Sequence, residues 1–153
     1  MVSPIEAQVS AAALQAAMDA LHRAFPRHSW TGIYLLRGDE LVLGPSIGPP
    51  TEHVRIPRGR GLCGRAVREE KDLNVGDVAS QPEYLACSAD VRSELIVLVR
   101  DRGEIVGQID IDSREPGRFP PEHEARVRAV ADALGPLVRL ARDAAGPQDV
   151  RRK

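Results

Sequence analysis

ELIVLVRDRGEIVGQIDID, at residues 94–112, is the stretch of sequence that decides the fold. Two aliphatic runs, Glu94 to Arg100 and Glu104 to Asp112, flank the turn sequence Asp101-Arg102-Gly103. Aliphatic runs of this length, separated by a short segment that contains glycine, predict two antiparallel strands joined in a hairpin.

The second strand of this hairpin ends in two acidic residues. Because side chains alternate between the faces of a strand, Asp110 and Asp112 share one face and Ile111 lies on the other. Glu94 begins the partner strand, where it can approach either aspartate across the ladder. Two explanations stay open: a solvated strand end, or like charges kept together because they serve a site.

Helices are predicted at both ends of the chain. Ser3-Pro4-Ile5-Glu6 combines an N-cap serine, a proline at the first helical position and a capping-box glutamate, so a helix should run from about Pro4 to Ala24. Its face of small residues favours close packing against another helix, in the same chain or in a second copy. Phe119-Pro120-Pro121-Glu122 should begin a final helix, which Pro136 should kink.

Short strands and loops are predicted between these helices. The strands are Ser29 to Leu36, Glu40 to Leu43, Val54 to Ile56 and Leu73 to Val75; a short helix covers Leu62 to Arg68, and loops cover Gly44 to Pro50 and Gly76 to Arg92. This order predicts an α+β fold in which N- and C-terminal helices pack on a central antiparallel sheet. We expect one domain over residues 1–145 and a flexible tail over residues 146–153.

Composition argues against several classes of function. The 21 basic and 22 acidic residues give a net charge of −1, and aromatic residues make up only 3% of the chain. We therefore expect no nucleic-acid partner, which would need a basic field or a stacking platform. No apolar run is long enough to span a bilayer, so no membrane partner is expected. Two cysteines and no signal-like N-terminus predict a cytoplasmic location.

The cysteines and histidines follow no metal-binding pattern, since CxxC, HxxxH and HExxH are all absent. Cys63 lies in GRGLCG, residues 59–64, a glycine-rich turn without the remaining residues of a phosphate-binding loop. A lone cysteine such as Cys63 is more often buried apolar filler than a nucleophile. For Cys87, in a non-periodic loop, both interpretations stay open. Trp30 and Tyr34 share one strand face, either in the core or as a pocket wall.

Several short motifs occur in a fixed order: Trp30-Thr-Gly-Ile-Tyr34, Leu43-Gly-Pro45 with Gly48, Gly59-Arg-Gly-Leu-Cys-Gly64, Ala86-Cys87, Ser93-Glu94, Asp110-Ile-Asp-Ser113, and Phe119 before the last helix. The ordered set resembles the free methionine-(R)-sulfoxide reductase family, a branch of the GAF domains, over about residues 5 to 140. The resemblance implies a GAF fold, a homodimer through the terminal helices, and reduction of free methionine-(R)-sulfoxide without a metal or organic cofactor.

The resemblance also implies roles for individual residues. Cys87 falls on the cysteine that we take to attack the sulfoxide, and Cys63 falls on the second cysteine of the glycine-rich turn. The residues expected at the substrate are three carboxylates, two aromatic residues and the neighbour of Cys87: Glu94, Asp110, Asp112, Trp30, Tyr34 and Ala86. A thioredoxin-like protein or a small thiol is the expected reductant.

Crowded carboxylates suit this chemistry. Mutual repulsion should raise the pKa of at least one of the three groups, which would then hold a proton for the departing sulfoxide oxygen. The remaining negative charge should bind the ammonium group of the free amino acid.

Two positions depart from the family. His53 stands where well-characterised members carry a third cysteine, and Tyr84 stands where histidine is frequent. Cys63 is therefore the only internal thiol that could resolve a sulfenic acid on Cys87. The alternative function is a non-catalytic GAF module that binds a small molecule such as methionine or its sulfoxide.

Overall fold

A computed structural model describes residues 1–25, 27–82 and 90–144. Its helices are α1 (Pro4–Ala24), α2 (Gly61–Glu69) and α3 (Pro121–Ala144), with a single 3₁₀ turn at Val78–Ser80. Its strands are β1 (His28–Arg37), β2 (Glu40–Ile47), β3 (Arg55–Pro57), β4 (Leu73–Val75), β5 (Ser93–Asp101) and β6 (Glu104–Ser113). The predicted tail, together with Cys87 and Ala86, lies outside the described residues.

The strands form one six-stranded sheet in the order β3-β2-β1-β6-β5-β4, and all neighbouring strands are antiparallel. The predicted hairpin β5–β6 is confirmed. Asp101 pairs with Glu104, so Arg102 and Gly103 alone form the turn, with φ angles of 54° and 81°. Two consecutive positive φ angles are typical of the tight turns whose twist matches that of the flanking strands.

Both terminal helices pack on the same face of the sheet. The predicted capping box of α1 is present: the backbone N–H of Glu6 donates to Ser3 Oγ at 3.2 Å, and that of Ser3 donates to Glu6 Oε2 at 2.9 Å. The core of this face joins residues of α1, of α3 and of the sheet, among them Leu14, Met18, Val127, Ala131, Val138, Val97, Ile109 and Ile111. The helix that α1 was predicted to pack against is therefore α3 of the same chain.

The sheet extends further than the sequence predicts at β2. Residues Gly44 to Ile47 were expected in a loop, and this prediction is wrong, because β2 continues to Ile47 opposite Thr31 of β1. The pairing register shifts at Gly44-Pro45, which forms an irregularity in β2. A bulge of this kind accommodates proline, which has no N–H to donate to the ladder.

The last helix is continuous over 24 residues, and Pro136 lies inside it. The proline therefore does not end the helix. None of the helices within the described residues has the length and apolar character required to cross a membrane.

Candidate active site

The three predicted carboxylates meet on the sheet face opposite α1 and α3, against which α2 packs. The register of β5 and β6 places Glu94 directly across from Asp112, and that of β1 and β6 places Trp30 across from Asp112. Gly32 lies across from Asp110. The backbone pairing of three central strands therefore sets the positions of the carboxyl groups.

These carboxyl groups are buried. Glu94 is 4% exposed, and Asp110 and Asp112 are each 1% exposed. Asp110 Oδ1 and both carboxyl oxygens of Asp112 are shielded from solvent and have no hydrogen-bond partner of normal geometry among the described residues. The explanation as a solvated strand end is therefore wrong.

Burial changes the ionisation of the two aspartates. It raises the pKa of Asp110, an effect opposed by contacts with Glu94 and with the Cys63 thiol. It also raises the pKa of Asp112 well above its ordinary value, where the charge of Asp110 adds to the effect and Glu94 opposes it. The expected rise in pKa is thus present, but loss of hydration is its main cause and repulsion comes second.

Cys63 lies at the edge of this cluster because of the glycine-rich turn before α2. Gly59 and Gly61 have φ angles of 87° and 66°, which favour glycine, and they direct the chain into the first turn of α2. Cys63 is a buried thiol that donates to Asp110 Oδ2 at 3.6 Å. Gln108 Nε2 donates to the Cys63 carbonyl oxygen at 3.0 Å, which ties α2 to β6.

Trp30 and Tyr34 occupy the same face, as predicted. Their rings lie 6.3 Å apart at an angle of 38°, and the Tyr34 hydroxyl donates to the His53 carbonyl oxygen at 2.8 Å. A Cβ atom at Gly32 would lie 2.3 Å from Trp30 Cη2. The indole ring therefore covers the backbone of Gly32 and could not do so over any larger residue.

Two small cavities lie beside the carboxyl groups. One, of about 10 Å³, is bordered by residues that include Tyr34, His53, Cys63, Glu94 and Asp110. The other, of about 20 Å³, is bordered by residues that include Trp30, Val91, Asp112 and Arg114. Cys63 and Tyr34 thus border the cluster at Asp110, and Trp30 borders it at Asp112.

Comparison with known proteins agrees with this geometry. The GAF domain family matches residues 10–136. Free methionine-R-sulfoxide reductase of Escherichia coli (strain K12) is 41% identical over 106 residues, which are 69% of this chain and 64% of that protein. The structure of the type II free methionine-R-sulfoxide reductase from Thermoplasma acidophilum is 40% identical and superposes with a TM-score of 0.84, covering 87% of this chain and 94% of that one.

The chain belongs to the free methionine-R-sulfoxide reductase family of GAF domains. A further member, from Neisseria meningitidis, whose structure holds its substrate, is 34% identical with a TM-score of 0.79 over 92% of this chain and 88% of that one. The predicted GAF fold is confirmed, and the protein is an enzyme of the oxidoreductase class that this family represents.

Six of the eight residues that the sequence assigned to a reductase site are brought together: Trp30, Tyr34, Cys63, Glu94, Asp110 and Asp112. Cys87 and Ala86 lie outside the described residues. Sequence reasoning did not assign Gln108 or Gly32 to the site. Their spacing along the strands could have indicated these positions. Gln108 lies two residues before Asp110 and Gly32 lies midway between Trp30 and Tyr34, so each falls on the same strand face as the predicted site residues.

Proposed function

We propose that this protein reduces free methionine-(R)-sulfoxide to methionine, with Cys87 as the attacking thiol and a cysteine sulfenic acid as the intermediate. The observation that carries the proposal is the buried cluster of Glu94, Asp110 and Asp112 beside Trp30 in a chain of this family. Burying three carboxyl groups together costs stability, so their retention is best explained by a ligand that pairs with them.

The cluster suits the ammonium group of a free amino acid. Within the described residues, no basic side chain forms an ion pair with Asp110 or Asp112, so the negative charge that the cluster keeps is available to a cation from the substrate. The methyl end would contact Trp30 and Tyr34, whose rings form an apolar wall. Methionine sulfoxide is larger than either small cavity, so we expect side chains between the two cavities to move and form one pocket when the substrate binds. Methionine inside a peptide lacks an ammonium group unless it is the N-terminal residue, which accounts for selectivity toward the free amino acid.

The chemical step follows from the ionisation of the cluster. Cys87 attacks the sulfoxide sulfur, and Asp112, whose pKa burial raises well above its ordinary value, supplies a proton to the sulfoxide oxygen. Attack forms a bond between Cys87 Sγ and the substrate sulfur; the protonated oxygen then transfers to Cys87 Sγ as this bond and the sulfoxide S–O bond break. The substrate leaves as methionine with two more electrons, and Cys87 is oxidised to sulfenic acid. Cys63 then attacks that sulfur, forming a disulfide and releasing water. A thioredoxin-like protein or a small thiol reduces the disulfide in a reducing cytoplasm.

A turnover assay tests the reaction. With dithiothreitol as reductant, we expect turnover of the free R epimer and little or none of the S epimer or of N-acetylated methionine-(R)-sulfoxide. Cys87→Ser should abolish activity. Equal turnover of both epimers, or full activity in Cys87→Ser, would contradict the proposal. Binding of the R epimer without turnover would favour the alternative of a non-catalytic binding module.

Mass spectrometry tests the recycling step. After one equivalent of substrate without reductant, the wild type should lose two hydrogens and yield a linked Cys63–Cys87 peptide. Cys63→Ser should instead give a dimedone adduct on Cys87. A dimedone adduct in the wild type, with Cys63 still a thiol, would show that an external thiol attacks the sulfenic acid directly.

We also propose a homodimer. Ile5 and Val9 of α1 are 72% and 58% exposed, and Ala12, Ala16 and Ala20 extend the same exposed face. Pairing this face across a two-fold axis would remove apolar surface from water. Light scattering should give twice the chain mass for the wild type and the chain mass for Val9→Arg. A wild-type monomer at tens of micromolar would contradict the proposal.

A further inference from the structure

Three potential metal ligands, one thiol and two carboxylates, converge at the first small cavity. One ligand atom each from Cys63, Glu94 and Asp110 lies within 4.8 Å of the other two, and all three residues are buried. They come from α2, β5 and β6, so no spacing motif in the sequence indicates that they meet.

The separation of two of these atoms, Cys63 Sγ and Asp110 Oδ2, matches that in a tetrahedral zinc site. With Zn–S bonds of about 2.3 Å and Zn–O bonds of about 2.1 Å, a tetrahedral ion holds sulfur and oxygen about 3.6 Å apart. Cys63 Sγ and Asp110 Oδ2 are 3.6 Å apart. Small movements of the Glu94 carboxylate would complete a three-ligand site with an open fourth position.

The space between the donors also fits an ion. The cavity has a volume of about 10 Å³, roughly what one water-sized particle requires. Half-buried His53 and exposed Arg60 border the same cavity, which gives a path from solvent. Asp110, which borders this cavity, has a second carboxyl oxygen, Oδ1, that accepts no hydrogen bond of normal geometry within the described part of the chain. A bound cation would offset the free-energy cost of burying this carboxyl oxygen without a hydrogen bond.

We propose that Cys63, Glu94 and Asp110 form a binding site for a thiophilic divalent cation such as Zn²⁺, and that the cation inhibits the enzyme reversibly. A thiolate and carboxylates are ligands that Zn²⁺ accepts, whereas Mg²⁺ and Ca²⁺ bind oxygen ligands alone. The inhibitory part of this inference rests on the proposed function, since the ion would occupy the carboxylates assigned to the substrate ammonium and the thiol assigned to recycling.

Co²⁺ provides a spectroscopic test that does not depend on activity. The reduced full-length protein, titrated with Co²⁺, should bind one equivalent and show the charge-transfer absorption of a thiolate ligand, which Zn²⁺ then displaces. Cys63→Ser should lose this absorption, and Glu94→Gln should weaken metal binding at least about tenfold. Cys87→Ser and Glu115→Gln are controls that carry the same substitutions outside the proposed metal site, and both should bind Co²⁺ as the wild type does. Circular dichroism verifies that each variant is folded.

The outcomes separate the two proposals. Absence of Co²⁺ or Zn²⁺ binding, or charge-transfer absorption that is lost in Cys87→Ser or kept in Cys63→Ser, would overturn the metal site. In the turnover assay, Zn²⁺ should raise the apparent KM for methionine-(R)-sulfoxide, and a chelator should reverse the effect. A wild-type protein that binds metal but never reduces sulfoxide would refute the proposed function and leave the metal site standing.

Discussion

The two faces of the central sheet bury side chains of opposite polarity, although these side chains come from neighbouring residues of one strand. Ile109 and Ile111 of β6 face the helices and are fully buried among aliphatic side chains. Asp110 and Asp112 alternate with them, face the other way and are almost as deeply buried. Burial stabilises the isoleucines, and it destabilises the ionised aspartates.

This contrast separates stability from chemistry. Both faces bury apolar side chains, but only the face opposite α1 and α3 also buries the three carboxyl groups, and burying them there reduces stability. Because both faces share one backbone, the rigid ladder stabilised on one side positions the carboxyl groups on the other. Variants on the face covered by α1 and α3 should therefore change mainly the free energy of unfolding, and variants on the acidic face should change mainly kcat/KM.

The largest effect is expected on the helix-covered face. Ile111→Ala leaves a cavity in a fully buried cluster and should lower the free energy of unfolding by about 4 kcal/mol, measured by urea denaturation. Ile111→Val should cost only about 1 kcal/mol. The kcat/KM of the folded fraction should stay near wild type. A loss of kcat/KM as large as that from a site variant would contradict the expectation that this face affects stability and not activity.

A buried histidine makes the same face sensitive to acid. His28 contacts Phe25 and Phe119, and burial, together with the nearby His123 and His22, lowers its pKa from 6.5 to about 4. A lowered pKa means that its contribution to stability is present above pH 6.5 and is lost as the pH falls toward 4.

The difference between these pKa values corresponds to about 3 kcal/mol at pH 4. Urea denaturation of the wild type and of His28→Phe at pH 7 and pH 4 measures it: the variant should gain about this much relative to the wild type at the lower pH. An identical pH dependence in the two proteins would show that His28 does not titrate in this range.

On the acidic face, activity and stability should move in opposite directions. Asp112→Asn should lower kcat/KM about 100-fold, because the proton donor is lost, and should raise stability at pH 7. The pKa of Asp112 is raised in the fold, so its stabilising contribution is full below about pH 3.8 and is lost as the pH rises through the raised value. The stability advantage of Asp112→Asn should therefore shrink as the pH falls.

Glu104 is the matched control, because the guanidinium groups of Arg142 and Arg139 lower its pKa. Glu104→Gln should lose stability at neutral pH and keep its activity, which is the reverse of Asp112→Asn. Urea midpoints and kcat/KM for both variants give the comparison. A neutral-pH loss of stability in Asp112→Asn would show that the buried carboxylate is compensated.

The smallest effect is expected at the aromatic wall. In Gly32→Ala the added methyl group would meet the Trp30 ring at 2.3 Å, so the indole must move. We expect the KM for methionine-(R)-sulfoxide to rise about tenfold, or about 1.4 kcal/mol, with a shifted fluorescence spectrum from the single tryptophan.

Gly135→Ala is the corresponding control on the helical side, since its Cβ would lie 2.4 Å from the Arg100 carbonyl oxygen. It should lower stability and leave KM and the fluorescence spectrum unchanged. A KM change of equal size in both variants would mean that strain spreads through the sheet.

Local sequence signals predicted most of the elements correctly. The Ser3–Glu6 capping box and the β5–β6 hairpin depend on neighbouring residues, and both are present. The end of β2 was missed because Gly44 and Pro45 are locally unfavourable in a strand. Their place in the sheet comes from long-range pairing with β1, which no local pattern contains.

The sequence by itself determined which residues share a face, because strand periodicity is a local property of the backbone. It therefore placed Asp110 with Asp112 and Trp30 with Tyr34. Only the tertiary structure decided that the aspartates are buried and that the Cys63 thiol reaches Asp110 and Glu94. Burial and convergence depend on how α2, β5 and β6 pack after distant segments meet, and the protonation and ligand chemistry of the site arise from that packing.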